Sequence, residues 1–95
     1  MFDRYEFEWD EHNIDHIARH DVEPWEAEEA VADYGRVPIP ARGRSRAGAI
    51  CMTEVGRTLV VIVERVERVE GPKRRVVTAR DVTNNEKGIY RRRSR

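Results

Sequence analysis

Two different hydrophobic periods follow each other at the start of the chain. Tyr5–Trp9 alternates aromatic and acidic residues, the period-two pattern of a half-buried strand whose aromatic side chains face the core. Asp10 then has the position of an N-cap, and the next segment predicts a helix from about residue 11 to residue 20. The apolar residues that indicate this helix, at spacings of three and four, are Ile14, Ile17 and Ala18.

A second amphipathic helix is predicted from Pro24 to about Tyr34. Proline is tolerated in the first turn of a helix, and Gly35 is a suitable residue to close it. Acidic residues near the start suit the positive end of the helix dipole. One apolar stripe is formed by Ala27, Ala30, Val31 and Tyr34.

The hydrophobic pattern of the sequence changes after Gly35, where glycine and proline interrupt the helical periods. The segment 37–40 is extended, and 47–53 can form a strand. A turn at 54–56 leads into 57–66, whose centre is apolar on both faces, as in a strand covered from both sides. This segment is the predicted centre of a sheet.

A second turn signal at 70–73 leads to an extended run over 74–79, which predicts a hairpin with long arms. Thr83 and Glu86 have the spacing of a capping box for a last helix from about Asn84. The basic tail over residues 91–95 is expected to be frayed.

The order of these elements is strand, two helices, three strands and a helix. It predicts one α+β domain over residues 1–95, with an antiparallel sheet of about four strands, two N-terminal helices and one C-terminal helix. A chain of 95 residues is within the usual size of one domain.

Charge is segregated along the chain although the formal net charge is zero. Residues 1–34 hold twelve acidic and two basic side chains, whereas residues 35–95 hold sixteen basic and six acidic ones. This asymmetry predicts a basic surface next to an acidic one.

The sequence favours a soluble, cytoplasmic protein. Met1–Arg4 lacks the apolar core of a signal peptide, and the longest apolar run, Leu59–Val63, is too short to span a bilayer. The single cysteine, Cys51, has apolar neighbours and is expected to be a buried thiol.

Seven short motifs occur in order over nearly the whole chain. They are Phe7-Glu8-Trp9-Asp10, Asn13, Arg19-His20-Asp21-Val22, Trp25-Glu26-Ala27-Glu28-Glu29-Ala30, Gly56-Arg57-Thr58-Leu59-Val60-Val61, Arg75-Val76-Val77-Thr78-Ala79-Arg80, and Glu86 with Tyr90. In this order they resemble the BrnT toxins of type II toxin–antitoxin systems. The chain departs from that pattern at Asp21, where the family has glycine, and at Val63–Val66, where the family has Y-T-x-R.

The resemblance implies a RelE-like ribonuclease fold and toxicity through RNA cleavage that needs no metal or other cofactor. It also implies neutralisation by a BrnA-like antitoxin with a ribbon-helix-helix domain, so that operator DNA is contacted only through the antitoxin. No membrane partner is expected, because the apolar runs of the sequence are too short to span a bilayer.

RNA can be cleaved without a metal because its own 2′-hydroxyl can attack the neighbouring phosphate. A base must take the proton, cations must stabilise the phosphorane, and an acid must protonate the leaving 5′-oxygen. Arg57, Arg75 and Arg80 are the candidate clamp, since a guanidinium binds phosphate oxygens in pairs. Arg80 is the strongest candidate because it matches the family motif. The alternative for each arginine is a solvated or salt-bridged surface position.

Three further residues are candidates for proton transfer or base contacts. His20 matches the family pattern and could carry a proton, and Tyr90 could stack on a base or donate a proton. Glu86 shares a helix face with Tyr90, but it can belong to the capping box, and Tyr90 can pack the helix onto the sheet. The spacing of His12, His16 and His20 would suit a zinc site, but no second ligand cluster supports one, and no metal is expected.

RNA binding is predicted at the remaining basic residues of the sheet and its loops. They are Arg42, Arg44, Arg46, Arg65, Lys73 and Arg74. A spacing of two would place the first three on one side of an extended segment, although a flexible loop is an equal alternative. Trp9 and Trp25 lie in the acidic third and are expected to be core residues. A rival hypothesis is a non-catalytic module that binds RNA, DNA or a protein on the same fold.

Overall fold

A computed structural model describes residues 1–94 of the chain. Its elements, in chain order, are α1 (Glu11–Ala18), α2 (Pro24–Val31), β1 (Val37–Ile39), β2 (Arg46–Met52), β3 (Thr58–Arg68), β4 (Gly71–Asp81) and α3 (Asn84–Arg93). The prediction of an α+β fold with a four-stranded antiparallel sheet, two N-terminal helices and one C-terminal helix is confirmed.

The sheet is a meander in which sequence neighbours are also spatial neighbours, in the order β1-β2-β3-β4. The β2–β3 register pairs Ala49 with Val61, and the β3–β4 register pairs Val61 with Ala79. A register shift follows Ile62. Because paired residues share a face, the register fixes which side chains of three strands lie together.

The main core lies between the sheet and the two N-terminal helices. Ile17 of α1 and Ala30 of α2 are fully buried against Leu59, Val61 and the rest of one sheet face. Ile17 is held where it can reach the sheet because α1 begins at a capping box, in which Asp10 and Asn13 bond each other's backbone amides. Cys51 is a free, buried thiol in this core, as expected.

α3 packs on the opposite face of the sheet. Ile89 and Tyr90 contact a smaller cluster of Val37, Ile50 and Val60. The predicted capping box of Thr83 and Glu86 is present at the start of this helix. The central strand β3 is therefore apolar on both faces at the level where helices cover it on both sides, as its sequence predicted.

The predicted strand over Tyr5–Trp9 is wrong. This segment makes one parallel bridge, between Phe7 and Arg74, and two backbone hydrogen bonds of 2.9 Å to Arg74, so it lies along the edge of β4 without forming a ladder. The alternation still has a physical basis. Phe7 and Trp9 stack and pack against the core, whereas Glu6 and Glu8 face basic side chains of the sheet.

The strand that completes the four-stranded sheet in place of 5–9 is β1 (Val37–Ile39), which the sequence indicated as extended. It pairs with β2 at the sheet edge, where Pro38 costs no ladder hydrogen bond. Its close approach depends on Gly48, because a Cβ there would lie 2.6 Å from Ile62 Cδ1 and 3.1 Å from Ile39 Cγ1.

Smaller corrections concern helix ends and one tryptophan. α1 and α2 end at Ala18 and Val31, earlier than predicted, and the backbone of Asp21 has a left-handed φ of 58° after α1. Residues 91–93, predicted to be frayed, belong to α3, and Arg95 lies outside the described residues. Trp25 is 56% exposed and is not a core residue, since it lies on the outer face of α2.

Within residues 1–94, no helix has the length and apolar character needed to span a bilayer.

Candidate active site on the sheet face

Two arginines flank one glutamate across three strands. Arg46 of β2 pairs with Glu64 of β3, and Glu64 pairs with Arg75 of β4. These three residues, here called the sheet-face row, lie on the face opposite the main core, because their neighbours Val63 and Val76 are buried in that core. The α3 contacts are with Val37, Ile50 and Val60, several rows away toward the other end of the strands. The row therefore places two guanidinium groups and one carboxylate on a part of the sheet face where α3 does not pack.

A shallow cleft of about 230 Å³ opens beside the row, between α1 and the edge strand β4. Its walls are formed by His12, Asn13, His16, Glu64, Arg75, Val76 and Val77. Asn13 is buried, and its side chain completes the α1 capping box and donates to the carbonyl of Glu8. The cleft thus brings two imidazoles, one carboxylate and one guanidinium together.

His16 is the more firmly held of the two cleft histidines. Its Nε2 lies 3.2 Å from Thr78 Oγ1 on β4, and its ring meets the His20 ring edge-on at 5.8 Å between centroids. His12, one turn earlier, is exposed. His20, the predicted proton carrier, follows α1 and is not part of the cleft wall.

Arg75 is anchored by the segment that precedes α1. Its Nη1 donates to Glu8 Oε1 at 2.9 Å and its Nη2 to Asp10 Oδ1 at 3.0 Å. The pKa of Asp10 is lowered to about 2, chiefly by the hydrogen bond from Arg75. The pKa of Glu8 is lowered to about 2 by Arg68 and then by Arg75. Both carboxylates are therefore committed to guanidinium groups, while Arg75 Nε has no hydrogen-bond partner within residues 1–94.

Glu64, the middle residue of the sheet-face row, has fewer hydrogen bonds than Arg75. Its contact with Arg46 is a single bond of 3.5 Å from Nε to Oε2, and both side chains remain about one-third exposed, at 37% and 32%. One carboxylate oxygen of Glu64 and several donors of Arg46 thus stay open to a bound molecule.

Arg57 does not join the other predicted clamp residues. It lies just before β3, on the side of the sheet that carries α2, and bonds Asp81 and Glu26 together with the backbone carbonyls of Asp21 and His20. The pKa of Arg57 is raised above its ordinary value, first by the Asp81 hydrogen bond. Its donors join the end of β4 to the α1–α2 connection.

Arg80 lies on the same face as Arg75, further along β4 beyond Thr78. Its two terminal nitrogens donate to Glu86 at 2.8 and 2.9 Å, and this pair lowers the pKa of Glu86 to about 2. Tyr90 packs α3 on the sheet and donates to Asp33 at 2.6 Å; burial and then this bond raise its pKa. The packing and capping alternatives for Tyr90 and Glu86 are therefore both present in the structure.

The predicted RNA-binding residues other than Arg46 are either exposed in a loop or already paired or packed within the fold. Arg42 and Arg44 are exposed and lie in the bend and turn that precede β2, so this segment is a loop, one of the two predicted alternatives, and not an extended strand. Arg65 pairs with Glu67 and Lys73 with Glu6. Arg74 is on the main-core side, where its guanidinium lies 3.9 Å from the Phe7 ring centroid and burial lowers its pKa.

Sequence reasoning found Arg75 and Arg46 but missed Glu64, and it considered His12 and His16 only for zinc. The four-residue histidine spacing was the available signal, because it places both rings on one face of α1. Glu64 had no such signal, since its position depends on strand register. In the part of the chain that the structure describes, no group of three or more His, Cys, Asp or Glu residues could hold a metal ion.

In comparisons with known proteins, no protein-family model matches the chain, and no curated protein matches it at a significant level.

Proposed function

We propose that this chain is a BrnT-like toxin, a metal-independent endoribonuclease that cleaves RNA on the open sheet face. The observation that carries the proposal is the sheet-face row beside the histidine cleft. Two guanidinium groups flank a carboxylate, and two imidazoles lie within the same depression. These are the groups needed to bind a phosphodiester, take a proton from a 2′-hydroxyl and return one to the leaving oxygen.

Arg46 and Arg75 are the proposed phosphate contacts. A planar guanidinium binds phosphate oxygens in pairs and keeps its charge at all relevant pH values. Arg46 has open donors, and Arg75 offers Nε while the carboxylates of Glu8 and Asp10 fix its orientation. Arg80 lies further along the same face, where its charge would act on an adjoining part of the RNA.

The resemblance to BrnT toxins supports the biological role. It makes growth arrest the expected effect, the cytoplasm the expected compartment and a BrnA-like antitoxin the expected partner. A basic partner segment would suit α2, whose outer surface combines acidic residues with the exposed Trp25. Expression of the chain should arrest growth, and a co-expressed antitoxin should relieve the arrest.

The direct test is incubation of the purified protein with single-stranded RNA, with and without a chelator. We expect equal cleavage in both. Arg46→Ala should lower the cleavage rate about 100-fold, the size of effect seen when one transition-state donor is removed. Arg19→Ala, an exposed arginine at the end of α1, is the matched control and should cleave normally. Cleavage abolished by the chelator would contradict the metal-free mechanism.

A non-catalytic binding module is the second candidate, and one observation favours it. Arg57, Arg75 and Arg80, the three clamp residues expected from sequence, all form ion pairs with carboxylates of the chain itself. RNA would then be held by the less committed Arg42, Arg44 and Arg46. Salt-sensitive RNA binding with no cleavage product would favour this module over the ribonuclease.

A further inference from the structure

Among the carboxylates near the cleft, Glu64 differs in how much of its bonding capacity is free. Glu8 accepts from both Arg68 and Arg75, and Asp10 accepts from Arg75 and caps α1. Both are held ionised to about pH 2, which makes them poor proton acceptors near neutrality. Glu64 has one bond of 3.5 Å and is the one carboxylate among the residues that line the cleft.

The two cleft histidines differ in how firmly the structure holds them. Nε2 of His16 is held 3.2 Å from Thr78 Oγ1, and its side chain is half-buried, whereas His12 is exposed. An imidazolium whose Nε2–H donates to Thr78 retains an Nδ1–H that can be delivered to another atom. Thr78 projects from the same sheet face as Glu64 and Arg75. Glu64 of β3 and His16 of α1 line the same cleft.

We infer that Glu64 is the general base and His16 the general acid of the cleavage reaction, with Thr78 as the positioning residue for His16. This inference rests on the proposed ribonuclease function. Glu64 takes the 2′-hydroxyl proton as O2′ forms a bond to phosphorus, and the P–O5′ bond breaks as His16 protonates O5′. The products are a 2′,3′-cyclic phosphate and a 5′-hydroxyl, and proton exchange with water restores both side chains.

The charged groups around this pair come from every adjoining element. Glu64 faces Arg46 from β2 and Arg75 from β4, and α1 contributes His12 and His16. The two guanidinium groups on either side of Glu64 can bring the phosphate next to it.

The test compares variants in cleavage of a short mixed-sequence oligoribonucleotide by the full-length protein. Glu64→Gln and His16→Asn should each lower kcat at least about 100-fold, a typical contribution of general acid–base catalysis. The pH–rate profile should lose its acidic limb in Glu64→Gln and its basic limb in His16→Asn. Glu67→Gln, a carboxylate on the same strand that is paired with Arg65 outside the cleft, is the matched control and should retain full activity.

Thr78 gives a readout that a purely structural role would not produce. Thr78→Val should lower kcat with KM unchanged, and Thr78→Ser should restore it, because only the hydroxyl can hold Nε2 of His16. RNA cleavage by the wild type together with full activity in Glu64→Gln or His16→Asn would overturn this assignment alone. Loss of cleavage in His20→Asn, with activity kept in His16→Asn, would assign the general acid to His20 instead of His16. No cleavage by the wild type would overturn the proposed function and this inference together.

Discussion

Single arginines in this protein differ in how far the fold has already used their donors. Arg57 bonds two carboxylates and two backbone carbonyls, whereas Arg46 has one long contact. A guanidinium with all its donors committed joins elements of the fold, and one with open donors can bind a phosphate. The same residue type therefore has two roles that the sequence alone does not separate.

Arg57→Ala should destabilise the protein, because it leaves the Glu26 carboxylate, which is only 13% exposed, without its guanidinium partner. We expect the free energy of unfolding to fall by about 1–3 kcal/mol. Arg65→Ala, which removes an exposed pair with Glu67, should cost about 1 kcal/mol at most. Urea denaturation of both variants checks this, and equal losses would show that Arg57 is only a surface charge.

The Arg80–Glu86 pair should make stability depend on pH in the acid range. The pKa of Glu86 is about 2 in the folded protein against an ordinary value of 4.5, so the pair stabilises the fold fully above about pH 4.5. This contribution should disappear as the pH falls from about 4.5 toward 2. Glu86→Gln, which can keep the capping hydrogen bond, should lie below the wild type in stability at neutral pH and approach it near pH 2. A gap that stays constant through this window would contradict the pairing.

Part of the candidate site could be predicted from single residues of the sequence. Arg75 and Arg46 were predicted as phosphate contacts, and the histidine spacing was visible along α1. Glu64 was not predicted, because its place between the two arginines depends on the β2–β3 and β3–β4 registers, which are contacts between residues far apart in sequence.

At the scale of elements, the sequence predicted helix starts better than the first strand. The N-cap at Asp10 and the capping box at Thr83 are local chemistry within four residues, and the structure contains both. A strand needs a partner over several residues, and the segment 5–9 meets the edge of β4 at one bridge only. Its period-two pattern therefore described which side chains face inward but not the hydrogen bonding.

Two glycine-to-alanine changes should have opposite effects on stability. Gly48→Ala places a methyl group against Ile62 and Ile39 and should cost about 1–3 kcal/mol as overpacking. Gly88→Ala lies within α3, where the nearest atom is the flexible end of Arg92 at 3.2 Å, and should stabilise the protein by about 0.5–1 kcal/mol. Thermal unfolding of both variants measures this. A neutral Gly48→Ala would mean that β1 and β3 do not approach Gly48 so closely.

At the scale of the whole molecule, the two oppositely charged parts of the chain meet each other. Most ion pairs in residues 1–94 join the acidic segment 1–34 to basic residues beyond it, such as Glu6 to Lys73, Glu8 to Arg68 and Asp10 to Arg75. The predicted separation into an acidic and a basic surface is thus partly neutralised where the N-terminal segment lies against β4. The remaining uncommitted charge on the sheet side includes the Arg42, Arg44 and Arg46 region.

Salt should therefore weaken the fold. The screening length falls from about 30 Å at 0.01 M to about 3 Å at 1 M, and exposed pairs are screened most. We expect a loss of about 1 kcal/mol in the free energy of unfolding between low and high NaCl. Glu8→Gln, which removes the shared partner of Arg68 and Arg75, should show a smaller salt effect. The same salt dependence in both proteins would contradict a stabilising role for these pairs.

We propose that the sheet-face row and the His16 cleft together cleave RNA by using its own 2′-hydroxyl. The most direct measurement is analysis of the products from one oligoribonucleotide and from its fully 2′-deoxy counterpart, in the presence of a chelator. We expect the RNA to be cut to ends bearing a 2′,3′-cyclic phosphate, while the deoxy strand stays intact. Cleavage of the deoxy strand, or an intact RNA strand under conditions where it binds, would contradict it.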